Sequence, residues 1–302
     1  MAQTPMGEVS HIRRTNGPRL AVEIFAPANT TRAAVLLSHG YAEHAGRYDR
    51  VIDAWTKSGL LVATYDLRGH GRSEGRRGHV ASFAEYVDDV NAILGEFEQH
   101  ARWPAGKKPV LFGHSLGGLI AASVAAEAPA RFAGLAMTSP FFGLARPVPK
   151  LKGWAGRVMS RILPTLSQPS GLKGSELTHD ADLVARYDED PYHFSHVTVR
   201  WFAETEDAQT KLLTRASRLT LPMFCLAAGD DRVASTAATQ RLFSLAASQD
   251  KELVVLRSLY HEVLNELDRD QHIATLGDRM IRWADLPTTP CLSISSTHPD
   301  PY

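Results

Sequence analysis

The run Gly113-His114-Ser115-Leu116-Gly117-Gly118 follows the apolar stretch Val110–Phe112 and opens an alanine-rich helical stretch. A serine between glycines on a strand-to-helix turn sits in a strained backbone conformation. The glycines are required there because side chains would collide with the neighbouring strand and helix. The hydroxyl then projects at a helix N-terminus, where free amides and the macrodipole favour developing negative charge. The chemistry implied is nucleophilic attack on a carbonyl. A chain of this length carries the pattern by chance roughly one time in ten, so it is the strand-turn-helix context that gives it weight.

A serine hydroxyl is a poor nucleophile at neutral pH and needs a general base, oriented by a carboxylate. In this arrangement both follow the serine, acid before histidine. After the apolar run Met223–Ala227 comes Ala228-Gly229-Asp230-Asp231-Arg232-Val233, and after Leu253–Leu256 comes Leu259-Tyr260-His261-Glu262. His261 alone among thirteen histidines stands in a loop directly after a late strand, which makes it the candidate base. His272, on the last helical stretch, reads as a surface or packing residue. The carboxylate is Asp230 or Asp231. Asp231 is favoured because Val233, two places on, can anchor the loop, while Asp230 after Gly229 reads as a turn former. Acyl transfer also needs N–H donors for the oxyanion, each worth about 10² to 10³ in rate. Leu116 supplies one. The other is assigned to the Tyr41 backbone N–H in His39-Gly40-Tyr41-Ala42-Glu43-His44, where the His-Gly pair gives the sharp turn that aims the next amide inward. His39 and His44 read equally well as structural. In Arg68-Gly69-His70-Gly71 the side chains are expected to brace a turn.

These residues need a scaffold that gathers strand ends on one edge. Short apolar runs at Ala33–Ser38, Leu60–Tyr65, Val110–Phe112, Ala133–Thr138, Met223–Ala227 and Leu253–Leu256 read as strands covered on both faces, with a further pair near Arg13 and Val22–Phe25. Helices are predicted at Arg47–Ser58, Phe83–His100, Leu116–Ala126, Thr236–Ala247 and Asp270–Trp283. The alternation predicts a mostly parallel α/β sheet. Between Pro140 and Leu219 the rhythm stops, which marks an insertion. Its charge is partitioned: Ala128–Ser175 holds seven basic residues and no acidic one, and Glu176–Asp207 holds nine acidic and two basic. Within it Leu151, Trp154, Ala155, Val158, Met159 and Ile162 form one stripe of a helix, with Lys150, Lys152, Arg157 and Arg161 beside it. Such a helix either lines a pocket or lies on a lipid surface. The expected organisation is a core of residues 1–139 and 220–286, a cap at 140–219 and a disordered tail at 287–302.

Composition narrows the field. The 302 residues carry 33 basic and 33 acidic side chains, so no global field draws the chain to nucleic acid. Hydrophobic residues at 44% with charged residues at 22% fit an ordinary globular protein. Two cysteines, Cys225 and Cys291, make no disulfide framework and no thiolate zinc site. No signal-peptide pattern and no uninterrupted apolar run of spanning length is present, so a cytoplasmic chain is expected. Oligomeric state is not encoded in any of these features.

The segments His39–Tyr48, Asp66–Gly75, Gly113–Gly118 and Tyr260–Glu266 closely resemble those of the monoacylglycerol lipase and lysophospholipase group of α/β-hydrolases, a likeness running from about Ala33 to Trp283. The resemblance implies the α/β-hydrolase fold, a mostly parallel eight-stranded sheet with helices on both faces and an inserted cap. It implies Ser115 as nucleophile, Asp231 and His261 as its partners, and Tyr41 and Leu116 as oxyanion donors. Glu43 and Arg47 match positions that shape the headgroup end of the pocket. Tyr41 departs from the family, where a smaller residue is common, and is expected to narrow that side. The implied substrate is a single-chain lipid ester, a monoacylglycerol or lysophospholipid, turned over without metal or cofactor. A short-chain carboxylesterase, or a ligand-binding module without catalysis, are the alternatives.

Overall fold

The computed structural model describes residues 8–13 and 17–286. The tail expected at 287–302 lies outside the described residues. In chain order the elements begin with β1 (Glu8–Arg13), β2 (Arg19–Phe25), β3 (Ala33–Ser38), α1 (Asp49–Lys57), β4 (Leu60–Tyr65), α2 (Ala84–Phe97), β5 (Val110–His114), α3 (Leu116–Glu127) and β6 (Gly134–Thr138). The inserted segment contributes α4 (Lys150–Ile162), β7 (Ser167–Pro169), α5 (Ala181–Glu189), β8 (His196–Thr198) and α6 (Val199–Thr214). The chain then returns through β9 (Met223–Ala228), α7 (Thr236–Leu245), β10 (Lys251–Leu256) and α8 (Arg269–Asp285).

Eight strands form one sheet in the order β1-β2-β4-β3-β5-β6-β9-β10. The β1–β2 and β2–β4 pairs are antiparallel, and every pair from β4 to β10 is parallel. This is the mostly parallel, helix-covered sheet of an α/β-hydrolase. The central strands β3, β4, β5, β6 and β9 are buried end to end and largely apolar because they feed two cores. Along β3, Ala34 and Leu36 pack with α2 and α3, whereas Ala33, Val35 and Leu37 pack with α1 and α8. β5 divides in the same way, Leu111 to one side and Val110 and Phe112 to the other. Successive strand residues point to opposite faces, so a strand buried on both faces has no place for a polar alternation. α3 is apolar all round for the same reason, nearly every residue from Leu116 to Ala126 being buried.

Parallel strands put their C-terminal ends on one edge. The loops leaving β3, β5, β9 and β10 therefore emerge side by side, and these carry Gly40-Tyr41, Ser115, Asp231 and His261. The insertion leaves β6 at the same edge and carries the α-helices α4, α5 and α6, the last running 16 residues. Periodicity exposed α4 but not α6, whose buried positions Trp201, Ala203, Thr205, Ala208 and Leu212 mix polar and apolar types. The apolar stripe of α4 faces outward: Leu151 is 78% exposed and Trp154 and Ile162 are each 65% exposed.

Sheet and helix meet tightly at Gly134, where an added Cβ would lie 2.2 Å from the buried Trp283 ring of α8. Gly134→Ala is expected to destabilise the protein by about 2 to 3 kcal/mol through overpacking. A urea unfolding curve checks this; an unchanged midpoint would show that the ring has room to move.

Candidate active site

Ser115 has φ 51° and ψ −116°, a conformation costly for any residue with a Cβ. The glycines around it explain how the turn closes. A Cβ on Gly113 would stand 2.2 Å from the Gly117 carbonyl oxygen, and one on Gly117 would stand 2.0 Å from the Ser38 carbonyl oxygen. Only bare backbone fits at both places, which lets α3 start directly against β3. The Ser115 N–H donates to the Thr138 carbonyl, tying the turn to β6.

The structure brings the serine, histidine and aspartate together. His261 Nε2 lies 2.8 Å from Ser115 Oγ, and His261 Nδ1 lies 2.8 Å from Asp231 Oδ2. Asp231 is held by its other oxygen, which accepts from the Val233 and Ala234 amides at 2.8 Å each. Val233 thus anchors the loop through its backbone N–H, and its side chain packs against the core. Asp230 points outward toward Arg232, whose guanidinium also lies over the Tyr260 ring. The His261 loop is pinned from beneath, the Tyr260 N–H donating to Glu266 Oε1.

Burial alone disfavours an imidazolium at His261, but the Asp231 charge and hydrogen bond outweigh it, aided by Glu262 and Glu43, and the pKa is raised. Burial likewise opposes ionisation of Asp231. The His261 ring and the two amides prevail, so the carboxyl stays below its ordinary range. His114 packs against His261 with ring centroids 4.9 Å apart. Burial, reinforced by His261, holds its pKa down to about 4, so no second cation competes beside the base.

The amides of Tyr41 and of Leu116, the first residue of α3, lie near Ser115 and make no hydrogen bond to another described residue. Their loops are adjacent, since a Cβ on Gly40 would lie 3.2 Å from Ser115 Cβ. Glu43 holds this loop from behind, accepting from the Gly40 N–H and from Tyr48 Oη. Arg47 donates at 2.8 Å to Glu43 and to both oxygens of Glu262. These bonds make Arg47 a brace between the loops carrying Tyr41 and His261. Its partner Glu43 lines the main cavity, whereas Arg47 reaches only a small side recess. The Tyr41 ring packs against Trp201 and Phe194 of the insertion.

Above Ser115 lies a cavity of about 250 Å³. Phe141, Leu144, Leu172, Val197, Trp201 and Phe202 form its apolar wall, and Glu43, Glu262 and the Tyr187 ring lie at its polar end. No residue of α4 lines it. Neither do Arg68, bound to Asp89 at 2.6 and 2.7 Å, nor His70, buried in the turn. His39 is satisfied within the core by the Gly40 carbonyl and the Leu67 N–H. His44 lies 2.9 Å from Asp190 of the insertion. Among the described residues no group of three or more His, Cys, Asp or Glu is placed to hold a metal.

Residues 29–268 match the Hydrolase_4 family, described as serine aminopeptidase, S33. The chain belongs to this family. It is 31% identical over 252 residues to a monoacylglycerol lipase of Mycolicibacterium smegmatis, covering 83% of this chain and 88% of that protein. With phospholipase YtpA of Bacillus subtilis it shares 32% identity over 241 residues, 79% of this chain and 91% of that one. The crystal structure of a Paleococcus ferrophilus monoacylglycerol lipase superposes with a TM-score of 0.80 at 29% identity, covering 87% and 99% of the two chains. The protein is thus a carboxylic ester hydrolase of the monoacylglycerol lipase and lysophospholipase-like group.

Among the residues of the site that escaped the sequence reading are Glu262, His114 and Tyr187. Glu262 and His114 flank His261 and Ser115 in the chain, but neighbours of a key residue point elsewhere as often as toward it. Tyr187 lies far along the insertion and gives no local signal.

The raised His261 pKa has a kinetic consequence. A base must be neutral, so kcat/KM is expected to fall as pH drops through a midpoint above about 6.5. Asp231→Asn removes the charge that raises the pKa and leaves the burial that lowers it. Its acid limb is expected to move below about 6.5, with kcat about 10⁴-fold lower. A limb that stays in place would mean that Asp231 does not set the ionisation of the base.

Proposed function

We propose that the protein hydrolyses single-chain lipid esters, a monoacylglycerol or lysophospholipid, through an acyl-enzyme on Ser115. His261 removes the hydroxyl proton as Oγ attacks the ester carbonyl, and Asp231 holds the imidazole in the useful tautomer and stabilises the imidazolium. The Tyr41 and Leu116 amides receive the oxyanion. His261 then protonates the departing alcohol, and water activated by the same ring releases the fatty acid. The observation that carries the reading is the joining of an uncompensated pair of amides with a 2.8 Å base–hydroxyl contact at the floor of an apolar cavity. The acyl chain has the apolar wall as its environment. The alcohol has the polar end, where the carboxyl oxygens of Glu43 and Glu262 are held by Arg47.

The segment 140–219 acts as a cap in this reading. The outward stripe of α4, with Leu151, Trp154 and Ile162 exposed beside Arg161, supports contact with a lipid surface from which such an ester is taken.

Hydrolysis of monoacylglycerols from acetyl to palmitoyl, with lysophosphatidyl esters in parallel, tests the substrate assignment. Rates are expected to rise with chain length beyond butyryl. A maximum at two to four carbons would replace the lipid assignment with a short-chain carboxylesterase. Ser115→Ala is expected to lower kcat by about 10⁵ to 10⁶ with the thermal midpoint kept; substantial turnover would point to another nucleophile. For α4, Trp154→Ser is expected to reduce co-sedimentation with phospholipid vesicles severalfold, and equal binding by both proteins would remove the cap from the lipid contact.

A further inference from the structure

We infer that the side chain of Tyr41 fastens its own oxyanion amide to the cap, so that an acyl chain seated in the cavity raises turnover as well as binding. The inference rests on the reading of the Tyr41 N–H as an oxyanion donor. It concerns the phenol, which that reading leaves without a role.

The loop that carries this amide has two anchors. One lies in the core, where Glu43 accepts the Gly40 N–H and is itself held by Tyr48 and Arg47. The other is the Tyr41 side chain, and it is made almost wholly to the cap. Tyr41 Oη donates to the carbonyl of His196, the first residue of β8, at 2.7 Å. Its ring packs on Trp201 of α6 with centroids 4.1 Å apart and edge-on to Phe194 at 5.4 Å. His70, at 5.5 Å, is the core's contribution to this cluster. Ala42, next in the chain, has φ 62°, so the backbone between the two anchors is already in a conformation that needs outside support.

The far side of the clamp is firm. The Thr198 N–H donates to the Gly78 carbonyl at 2.9 Å, which seats β8 on the core loop below it. Trp201 donates through Nε1 to Tyr86 Oη at 3.1 Å. The indole is therefore fixed at its rim, while the rest of it is shared between the Tyr41 ring and the acyl cavity, of which it forms part of the wall. A chain long enough to pack on Trp201 presses on the same indole that holds Tyr41.

The energetic logic follows from the two functions of one residue. A donor aimed at an oxyanion is worth about 10² to 10³ in rate, and a displacement near 1 Å can forfeit about 10². A donor fastened to the cap is in register only when the cap is. Binding energy from the remote end of the acyl chain then appears at the reacting carbonyl, where it raises kcat instead of only lowering KM. If Tyr41 were simply a piece of the cavity wall, trimming it would change KM and leave kcat alone.

Tyr41→Phe deletes the His196 hydrogen bond and keeps the ring. kcat and KM are measured separately for butyryl and dodecanoyl monoacylglycerols below their micelle concentrations, in the wild type, in Tyr41→Phe and in the cap variant Phe194→Ala. The expected result is a fall of at least fivefold in the dodecanoyl-to-butyryl kcat ratio in each variant, with dodecanoyl KM within twofold. The double variant should lose little more than the larger single one, because both act through one clamp. Circular dichroism and fluorophosphonate labelling verify that each variant is folded with a reactive serine, and Phe194→Ala carries the test alone if Tyr41→Phe does not fold. An unchanged kcat ratio, or a change confined to KM, overturns the coupling. Those results leave the catalytic reading intact, whereas turnover by Ser115→Ala would bring down that reading instead.

Discussion

The structure depends on one close approach of backbone to backbone, that of Gly117 to the end of β3. A Cβ at this position would sit 2.0 Å from the Ser38 carbonyl oxygen, so α3 can begin where it does only because the residue has none. That contact forces the tight turn at Ser115, and the turn lifts the hydroxyl to the edge where the other strands end. It also places the first amide of α3 beside the loop leaving β3, so the serine and both unsatisfied N–H groups share one corner. Parallel pairing does the rest. β9 and β10 end on the same edge, and their loops need only a few residues to bring His261 to 2.8 Å from both Asp231 and Ser115.

Around this corner, burial and charge work against each other in a graded way. His261 is enclosed enough to lose solvent stabilisation of its cation, and the carboxylate at its back more than restores it. His114, equally enclosed but without such a carboxylate partner, is kept neutral. Arg47 lies between Glu43 and Glu262, which both line the cavity, and links the two loops it touches. Removing one partner from such a buried group would leave an uncompensated charge, so the cluster stands or falls together. The same side chains that set the electrostatics therefore set the positions of the loops carrying Tyr41 and His261.

The scaffold was legible in the sequence because a strand buried on both faces is apolar from end to end, and Ala33–Ser38 or Leu60–Tyr65 admits few other readings. Ser115, Asp231 and His261 were legible because each sits at a fixed place relative to such a strand. Asp231 rather than Asp230 lies against His261, and its loop is anchored at Val233 through the amide. What could not be read is what depends on contacts across long stretches of chain. Arg47 looks like a headgroup ligand by position, and only the fold reveals that Glu262 holds its guanidinium, 215 residues away. The helix α6 hides its periodicity because its buried face includes Thr205 beside Trp201 and Leu212. The direction of the α4 stripe is likewise set by where α6 lies, not by the spacing of its own residues.

The central claim is that Ser115 is made nucleophilic by its spatial partners. The most direct test is intact-mass analysis of the native protein after a fluorophosphonate probe, with the adduct located by peptide mapping. One adduct per chain on Ser115 is predicted, formed far more slowly in His261→Ala at the same pH. A folded protein that takes no label, or that is labelled on another residue, would contradict the account.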